Sequence, residues 1–278
     1  MAVIESAGIT DVGKKRKGNE DALYIDDEQM LYVVSDGMGG HQAGEVASML
    51  VVETIRDYMK RFKQEDEANV EELVEADESL SKEANRLISG IRLANQGVHH
   101  VAQSKESYRG MGATVSAVYF TDGELIAVNV GDSPIYLIHN GQIELLSVTH
   151  NVITEQAAID PEAARNIGAQ FKHMLTRAMG IEETVKPDVS EIPYFKGDKL
   201  VISSDGLSDK VPPEEILEIV KQEKPERACQ KLVDLANARG GDDNITIIIL
   251  NVKSVKQNVG GVIGALSKLF TPFKRIFN

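Results

Sequence analysis

LYVVSDGMGG, residues 31–40, is an apolar run that meets an aspartate beside a glycine. The same arrangement recurs in LIAVNVGDS (125–133), KLVISSDGLSD (199–209) and GGDDNITIIIL (240–250). In the first three the aspartate closes the run; in the last it opens it. A carboxylate at the end of a buried strand stands on rigid backbone at the rim of a core. Four such carboxylates that converge cannot all stay ionised without cations, and hard divalent ions with oxygen ligands relieve that repulsion. The pattern therefore reads as a set of strand ends built to hold metal.

The rest of the chain fits one large β-rich domain. It has 278 residues, of which 42% are hydrophobic, enough for a sizeable core. Its formal net charge of −13 argues against nucleic acid as a partner. The one cysteine, Cys229, lies in the helical-looking stretch PERACQKLVDLANA. That excludes a disulfide within the chain and a cysteine-ligated zinc site, and Cys229 reads as a small buried hydrophobe. The N-terminal MAVIESAGITD lacks a basic segment and a long apolar one, so no signal peptide is expected. No segment is long and apolar enough to span a membrane. The expectation is a cytoplasmic monomer.

Strand-like composition marks residues 3–10 and 22–35. Val46, Met49, Leu50, Ile55 and Tyr58 recur at helical spacing over 43–62. The acidic KQEDEANVEELVEADESLSKE then reads as a solvated helix face and a loop, followed by a second long helix to about residue 103. Short strands return from Gly112 to Leu146, with hairpin signals at Thr121-Asp122-Gly123 and Asn140-Gly141. Residues 150–180 are turn-rich, with helix-like pieces around Glu155 and Pro161. Strands resume over 189–204, helices over 213–222 and 225–238, and ITIIILNV closes the domain. Strands in blocks with helix pairs between them predict an α+β fold: two antiparallel sheets packed together with helices outside.

TDVGKKRKGNEDALY, residues 10–24, places a basic cluster inside an acidic chain. Arg16 there suits fork-like binding of a phosphate dianion, and a solvated basic turn is the plainer alternative. With this segment the combination resembles the metal-dependent protein phosphatases, the type-2C Ser/Thr phosphatases, in their bacterial form. The resemblance rests on TDVGKKRKGNEDA, VVSDGMGGHQAGEVAS, GMGATVSAVYF, VNVGDS, LTRAMG, VISSDGLSD and GGDDNIT in the family's order, and covers roughly residues 4–252.

The resemblance implies a central β-sandwich flanked by helices, with two Mn²⁺ or Mg²⁺ ions at one end and a third, weaker ion beside them. By motif, Asp36 would bridge two metals, the Gly37 carbonyl would ligate one, and Asp205 and Asp243 would complete the set. Asp132 matches the position that helps hold the third ion. Glu20 and Asp21 match carboxylates that act through water, and Arg16 matches the phosphate-binding arginine. The implied activity is hydrolysis of phosphoserine and phosphothreonine in proteins, reversing a Ser/Thr kinase. Phosphate monoesters hydrolyse extremely slowly unaided, and paired cations can acidify a shared water, so no Ser, Cys or His nucleophile is needed. Oxygen-only ligands favour Mg²⁺ or Mn²⁺ over zinc. A catalytically silent phosphoprotein-binding module on the same fold is the rival reading, and a phosphoesterase for small molecules is another. The complete aspartate set argues against the first; no nucleotide-binding glycine loop supports the second.

Two positions depart from the family. Many eukaryotic members carry histidine after the Asp-Gly pair; here it is Met38, as in bacterial forms, which leaves the general acid open between His41, a metal-bound water and none, with a structural place at a helix start as the alternative role of His41. Pro134 follows Gly-Asp-Ser where arginine is usual, and removes a backbone donor from that turn. Residues 150–180 match the family's variable flap. The chain divides into a catalytic domain over 1–255 and a hinge with a basic amphipathic tail over 256–278. In that tail, Val262, Leu266, Leu269, Phe270, Phe273 and Phe277 recur at helical spacing, beside Lys268, Lys274 and Arg275. Residues 261–278 are expected to rest on the inner membrane surface or a partner, or to pack on the domain.

Overall fold

The central apolar runs are strands buried on both faces. A computed structural model describes residues 2–40, 42–64, 76–168, 171 and 173–255. His41 and the tail beyond residue 255 lie outside the described residues. In chain order the elements are β1 (Ala2–Asp11), β2 (Asp21–Asp26), β3 (Leu31–Met38), α1 (Gln42–Gln64), α2 (Lys82–Ser104), β4 (Gly112–Ala113), β5 (Val115–Phe120), β6 (Glu124–Val130) and β7 (Ile135–His139). They continue with β8 (Gln142–Leu145), α3 (Val152–Ile159), α4 (Pro161–Arg165), β9 (Asp188–Pro193), β10 (Lys199–Ser203), α5 (Asp205–Ser208), α6 (Pro213–Gln222), α7 (Pro225–Ala238) and β11 (Ile245–Val255).

Two antiparallel sheets form, in the orders β1-β11-β10-β7-β8 and β2-β3-β5-β6-β9, with β4 paired to β3. Strand periodicity divides each run between two layers. Tyr32 and Val34 of β3, with Phe120 of the same sheet, face the other sheet, where they join Ile202, Ile248 and Leu250. Leu31 and Val33 face outward onto α1 and α2, with Ile55, Leu87 and Ile91. On the far side Val201, Ile247 and Ile249 meet Ile216, Leu232 and Val233 of α6 and α7. This helix–sheet–sheet–helix stack explains the sequence: antiparallel strands alternate apolar and polar when one face is wet, and lose that alternation when both are covered.

Local signals set the ends of these elements. Ser81 Oγ accepts the Ala84 N–H at 3.1 Å and starts α2. Asn140 (φ 48°) and Gly141 (φ 80°) make the left-handed pair that a two-residue hairpin needs between β7 and β8. Thr121 closes the β5–β6 hairpin by accepting the Glu124 N–H at 3.0 Å. The expected set holds in part: Ile55 and Tyr58 are buried and Val46 and Leu50 half-buried, but Met49 is exposed, and α1 also buries Ala43, Ala47, Val51, Val52 and Met59.

The antiparallel order has one further consequence. β2, β7 and β11 begin where β1, β3, β6 and β10 end, so the aspartates at those termini meet at one end of the sandwich. A hollow of about 310 Å³ lined by Met30, Met59, Arg86 and Phe120 lies at the opposite end, by the β2–β3 turn. No helix among the described residues is long and apolar enough to cross a membrane.

Ile202→Ala, between the sheets, is expected to cost about 2–5 kcal/mol in urea unfolding. Leu145→Ala, on the exposed edge strand β8, is expected to stay within about 0.5 kcal/mol. Equal losses would contradict the two-layer core.

Candidate metal centre

Asp21 and Asp36 face each other across the β2–β3 ladder, at the start of one strand and near the end of the other. Asp36 lies inside β3, and its backbone is fixed on both sides. Its N–H donates to Thr114 Oγ1 at 3.0 Å, and its carbonyl accepts the Thr114 N–H at 2.8 Å. Burial pushes the Asp36 carboxyl well above the usual carboxylate range, and the charges of Asp21, Asp205, Asp243 and Asp132 push the same way. Asp21 rises to about 7, through burial first and then the charges of Asp205 and Asp243, against the nearby hydroxyls of Thr246 and Ser204. Ser204 Oγ donates to Asp21 Oδ2 at 2.8 Å, while Asp21 Oδ1 is buried without a hydrogen-bond partner.

Gly37 is glycine for steric reasons. A Cβ there would stand 2.0 Å from the Gly44 carbonyl oxygen of α1 and 2.6 Å from that of Glu20. The Gly37 N–H donates to the Glu20 carbonyl at 3.1 Å. A Cβ on Gly44 would in turn meet Glu20 Oε2 at 2.3 Å, so strand, helix and the loop before β2 close on one another at this point.

Asp205 opens α5 directly after β10, and its Oδ1 is also buried without a partner. Asp243 precedes β11 and accepts Arg16 Nη2 on Oδ2 at 2.7 Å. That carboxylate holds the Arg16 guanidinium above its usual pKa. Asp132 lies in the turn after β6, and burial, with Asp205 second, pushes it up to about 7. The structure thus brings Arg16, Glu20, Asp21, Asp36, Gly37, Asp132, Asp205 and Asp243 to one end of the sandwich.

Four residues join them that the motifs alone do not single out. Asp209 caps α5 one turn after Asp205, its N–H donating to the Asp205 carbonyl at 2.8 Å. His173, from the 150–180 segment, reaches both: Nδ1 lies 3.4 Å from Asp205 Oδ2, and Nε2 lies 3.4 Å from Asp209 Oδ2. One donor atom from each of these three lies within 4.8 Å of the others. Asn244 staples the basic loop, donating to the carbonyls of Val12 (2.9 Å) and Gly18 (3.0 Å) and accepting the Glu20 N–H (2.8 Å). Buried His150 clamps the turn before Asp132. It accepts the Gly131 N–H on Nδ1 at 3.0 Å, and its own N–H donates to the Gly131 carbonyl at 3.0 Å. Its Nε2 faces Asp188 Oδ2 at 2.6 Å, beside Arg177. For Asp209 the sequence signal was its i+4 spacing from Asp205; the contacts of His173 and His150 have none.

The turn at Pro134 is hydrogen-bonded without the backbone donor that proline lacks. The Pro134 carbonyl accepts the Ser203 N–H at 3.1 Å, and Ser133 is held through Thr114 Oγ1 (2.7 Å) and Ser116 Oγ (2.6 Å). The neighbouring Ile135 N–H goes to Ser147 Oγ at 3.0 Å.

Converged carboxylates, two of them with orphaned buried oxygens, fit hard divalent cations: all donors are oxygen, and binding removes the repulsion that raises their pKa values. A β-sandwich carrying such a cluster beside an arginine defines a class of metal-dependent phosphate-ester enzyme. The comparisons with known proteins agree. The model of the family "Protein phosphatase 2C" matches residues 14–240. The serine/threonine phosphatase stp of Listeria innocua is 33% identical over 248 residues, covering 87% of this chain and 93% of that protein. The protein phosphatase PhpP of Streptococcus pneumoniae is 29% identical over 256 residues, covering 90% and 98%. Among solved structures, PstP/Ppp of Mycobacterium tuberculosis superposes with a TM-score of 0.76 at 29% identity, covering 91% of this chain and all of that one. A structure of the PstP catalytic domain in complex with two manganese ions gives the same TM-score. The chain belongs to the protein phosphatase 2C family, in its bacterial, metal-dependent form.

The raised carboxyls set a sign for pH. Asp21 and Asp132, near 7 in the folded metal-free protein against about 4 unfolded, favour folding below the unfolded value, and that contribution is lost as pH rises through 7. The melting temperature of EDTA-treated protein should therefore fall as pH is raised from about 5 to about 8. Asp21→Asn should flatten the fall, and saturating Mn²⁺ should stabilise more at the higher pH. A pH-independent Tm in EDTA contradicts the clustered carboxyls.

Proposed function

We propose that the chain is a metal-dependent protein-serine/threonine phosphatase that hydrolyses phosphoserine and phosphothreonine in proteins, reversing a cognate kinase. The observation that carries this is the convergence of Asp21, Asp36, Asp205 and Asp243 around unpartnered buried oxygens, with Arg16 bonded to Asp243. Asp36, the Gly37 carbonyl, Asp205 and Asp243 would hold two Mn²⁺ or Mg²⁺ ions, with Glu20 and Asp21 acting on their surrounding water. Asp132, with Asp209, would hold a third. When bound, the ions supply an acidified water as nucleophile and neutralise phosphoryl charge.

This chain's own groups supply position. Arg16 is an exposed guanidinium at hydrogen-bond distance from a proposed ligand carboxylate, so a phosphate drawn to that carboxylate's cation meets a fork of N–H donors. Asn244 and Gly13 fix the loop that carries Arg16. A Cβ at Gly13 would stand 2.2 Å from the Asp243 carbonyl, and its φ of 78° suits glycine. The protein would act as a monomer in a reducing cytoplasm, consistent with its one buried free cysteine.

A phosphothreonine peptide tests the proposal. Turnover should require Mn²⁺ or Mg²⁺, vanish with EDTA, and fall at least about a hundredfold in Asp36→Asn and in Asp243→Asn. Hydrolysis that survives EDTA would overturn the mechanism. A wild-type chain inert with Mn²⁺ would favour a silent binding module.

A further inference from the structure

The loop that presents Arg16 also carries Lys14, Lys15 and Lys17, and all four side chains are exposed. The loop is anchored. The N–H groups of Lys14 and Lys15 donate to the Gly241 carbonyl at 2.8 and 3.1 Å, and Asn237 Nδ2 donates to Asp11 Oδ1 at 3.0 Å at its base. Arg16 is committed to Asp243. Among the described residues no ion pair engages the side chains of Lys14, Lys15 or Lys17; Asp242, the acid that Lys15 influences, is bonded to Lys210. Uncommitted positive charge thus flanks the proposed phosphate-binding arginine in a chain of net charge −13.

Acidic residues beside a phosphorylated side chain would be repelled by most of this protein. Lys15 and Lys17 reverse that field locally. Their Cα atoms lie about 3.8 Å from that of Arg16, and residues two or three positions along an extended peptide lie roughly 7–10 Å from the phosphoresidue. Those separations are comparable to the Debye length of about 8 Å at physiological ionic strength.

We propose that Lys15 and Lys17 select phosphoprotein segments with acidic residues next to the phosphorylated serine or threonine. This rests on the phosphatase reading and adds a substrate class to it. The flanking charges do not change as the phosphate ester breaks, so the lysines bind ground and transition states equally. The preference should lie in KM and not in kcat. Exposed pairs are individually weak, so two lysines give roughly a three- to tenfold effect.

The test uses the full chain with Mn²⁺ and three phosphothreonine peptides of equal length, flanked by Glu, Gln or Lys. Wild type should show a KM for the Glu peptide roughly three- to tenfold below that for the Gln peptide, with the Lys peptide weakest. High salt should shrink the spread, and Lys15→Gln/Lys17→Gln should bring the Glu and Gln peptides within about twofold. Equal KM values for Glu and Gln peptides in the wild type overturn the proposal. So does a preference that persists in the double variant or one that resides in kcat. Hydrolysis of none of the three peptides instead removes the phosphatase reading, and this inference with it.

Discussion

Mutual repulsion among clustered, largely desolvated carboxylates is the constraint around which this molecule is organised. Asp21, Asp36, Asp132, Asp205 and Asp243 come from the ends of different strands, and desolvation and like charge raise the first three together. Without cations that repulsion favours bound protons; on the proposed reading cations would relieve it, with Asp36, Asp132, Asp205 and Asp243 as ligands. Positions that tolerate only glycine follow from the same crowding. Gly37 sits against Gly44 and Glu20, and a Cβ at Gly206 would stand 2.0 Å from the Asn244 carbonyl. At both places backbone segments that carry the clustered carboxylates meet without room for a side chain between them.

The sandwich is what makes the convergence rigid. Helices cover both outer faces, so the central strands that end at the cluster, β3, β6, β10 and the first half of β11, are anchored by apolar contacts on both faces. Antiparallel pairing brings termini of both sheets to one rim, where Asp11 of β1 pairs with Ile245 of β11, two residues beyond Asp243. Asn244 ties down the loop bearing Arg16 at three backbone groups, and the Gly241 carbonyl holds two more. Catalytic precision of the kind phosphoryl chemistry needs comes from this scaffold rather than from any single residue.

Much of this was legible in the sequence. The apolar runs marked buried strands, and an aspartate at one terminus of each marked the rim. The helices over 213–222 and 225–238 stand where the sequence places them. What stayed hidden depends on contacts between distant residues. Asn244 meets Val12 and Gly18 across more than two hundred residues, and no local pattern distinguishes it from an ordinary turn asparagine. His150 looks like one polar residue in a turn-rich stretch, yet it grips both backbone groups of Gly131 beside Asp132. Met49 misled because a helix face was inferred from spacing, while α1 buries a neighbouring stripe that includes small residues, Ala43 and Ala47, against β3 and α2. Small side chains permit close approach there, and hydropathy undervalues them.

The most direct measurement is anomalous diffraction at the manganese edge from crystals grown with Mn²⁺. Two strong peaks should stand among Asp36, the Gly37 carbonyl, Asp205 and Asp243, with any third and weaker peak beside Asp132 and Asp209. Manganese bound only at His173 and Asp209, or no ordered manganese at the Asp36 cluster, would contradict the cation-holding role on which the rest depends.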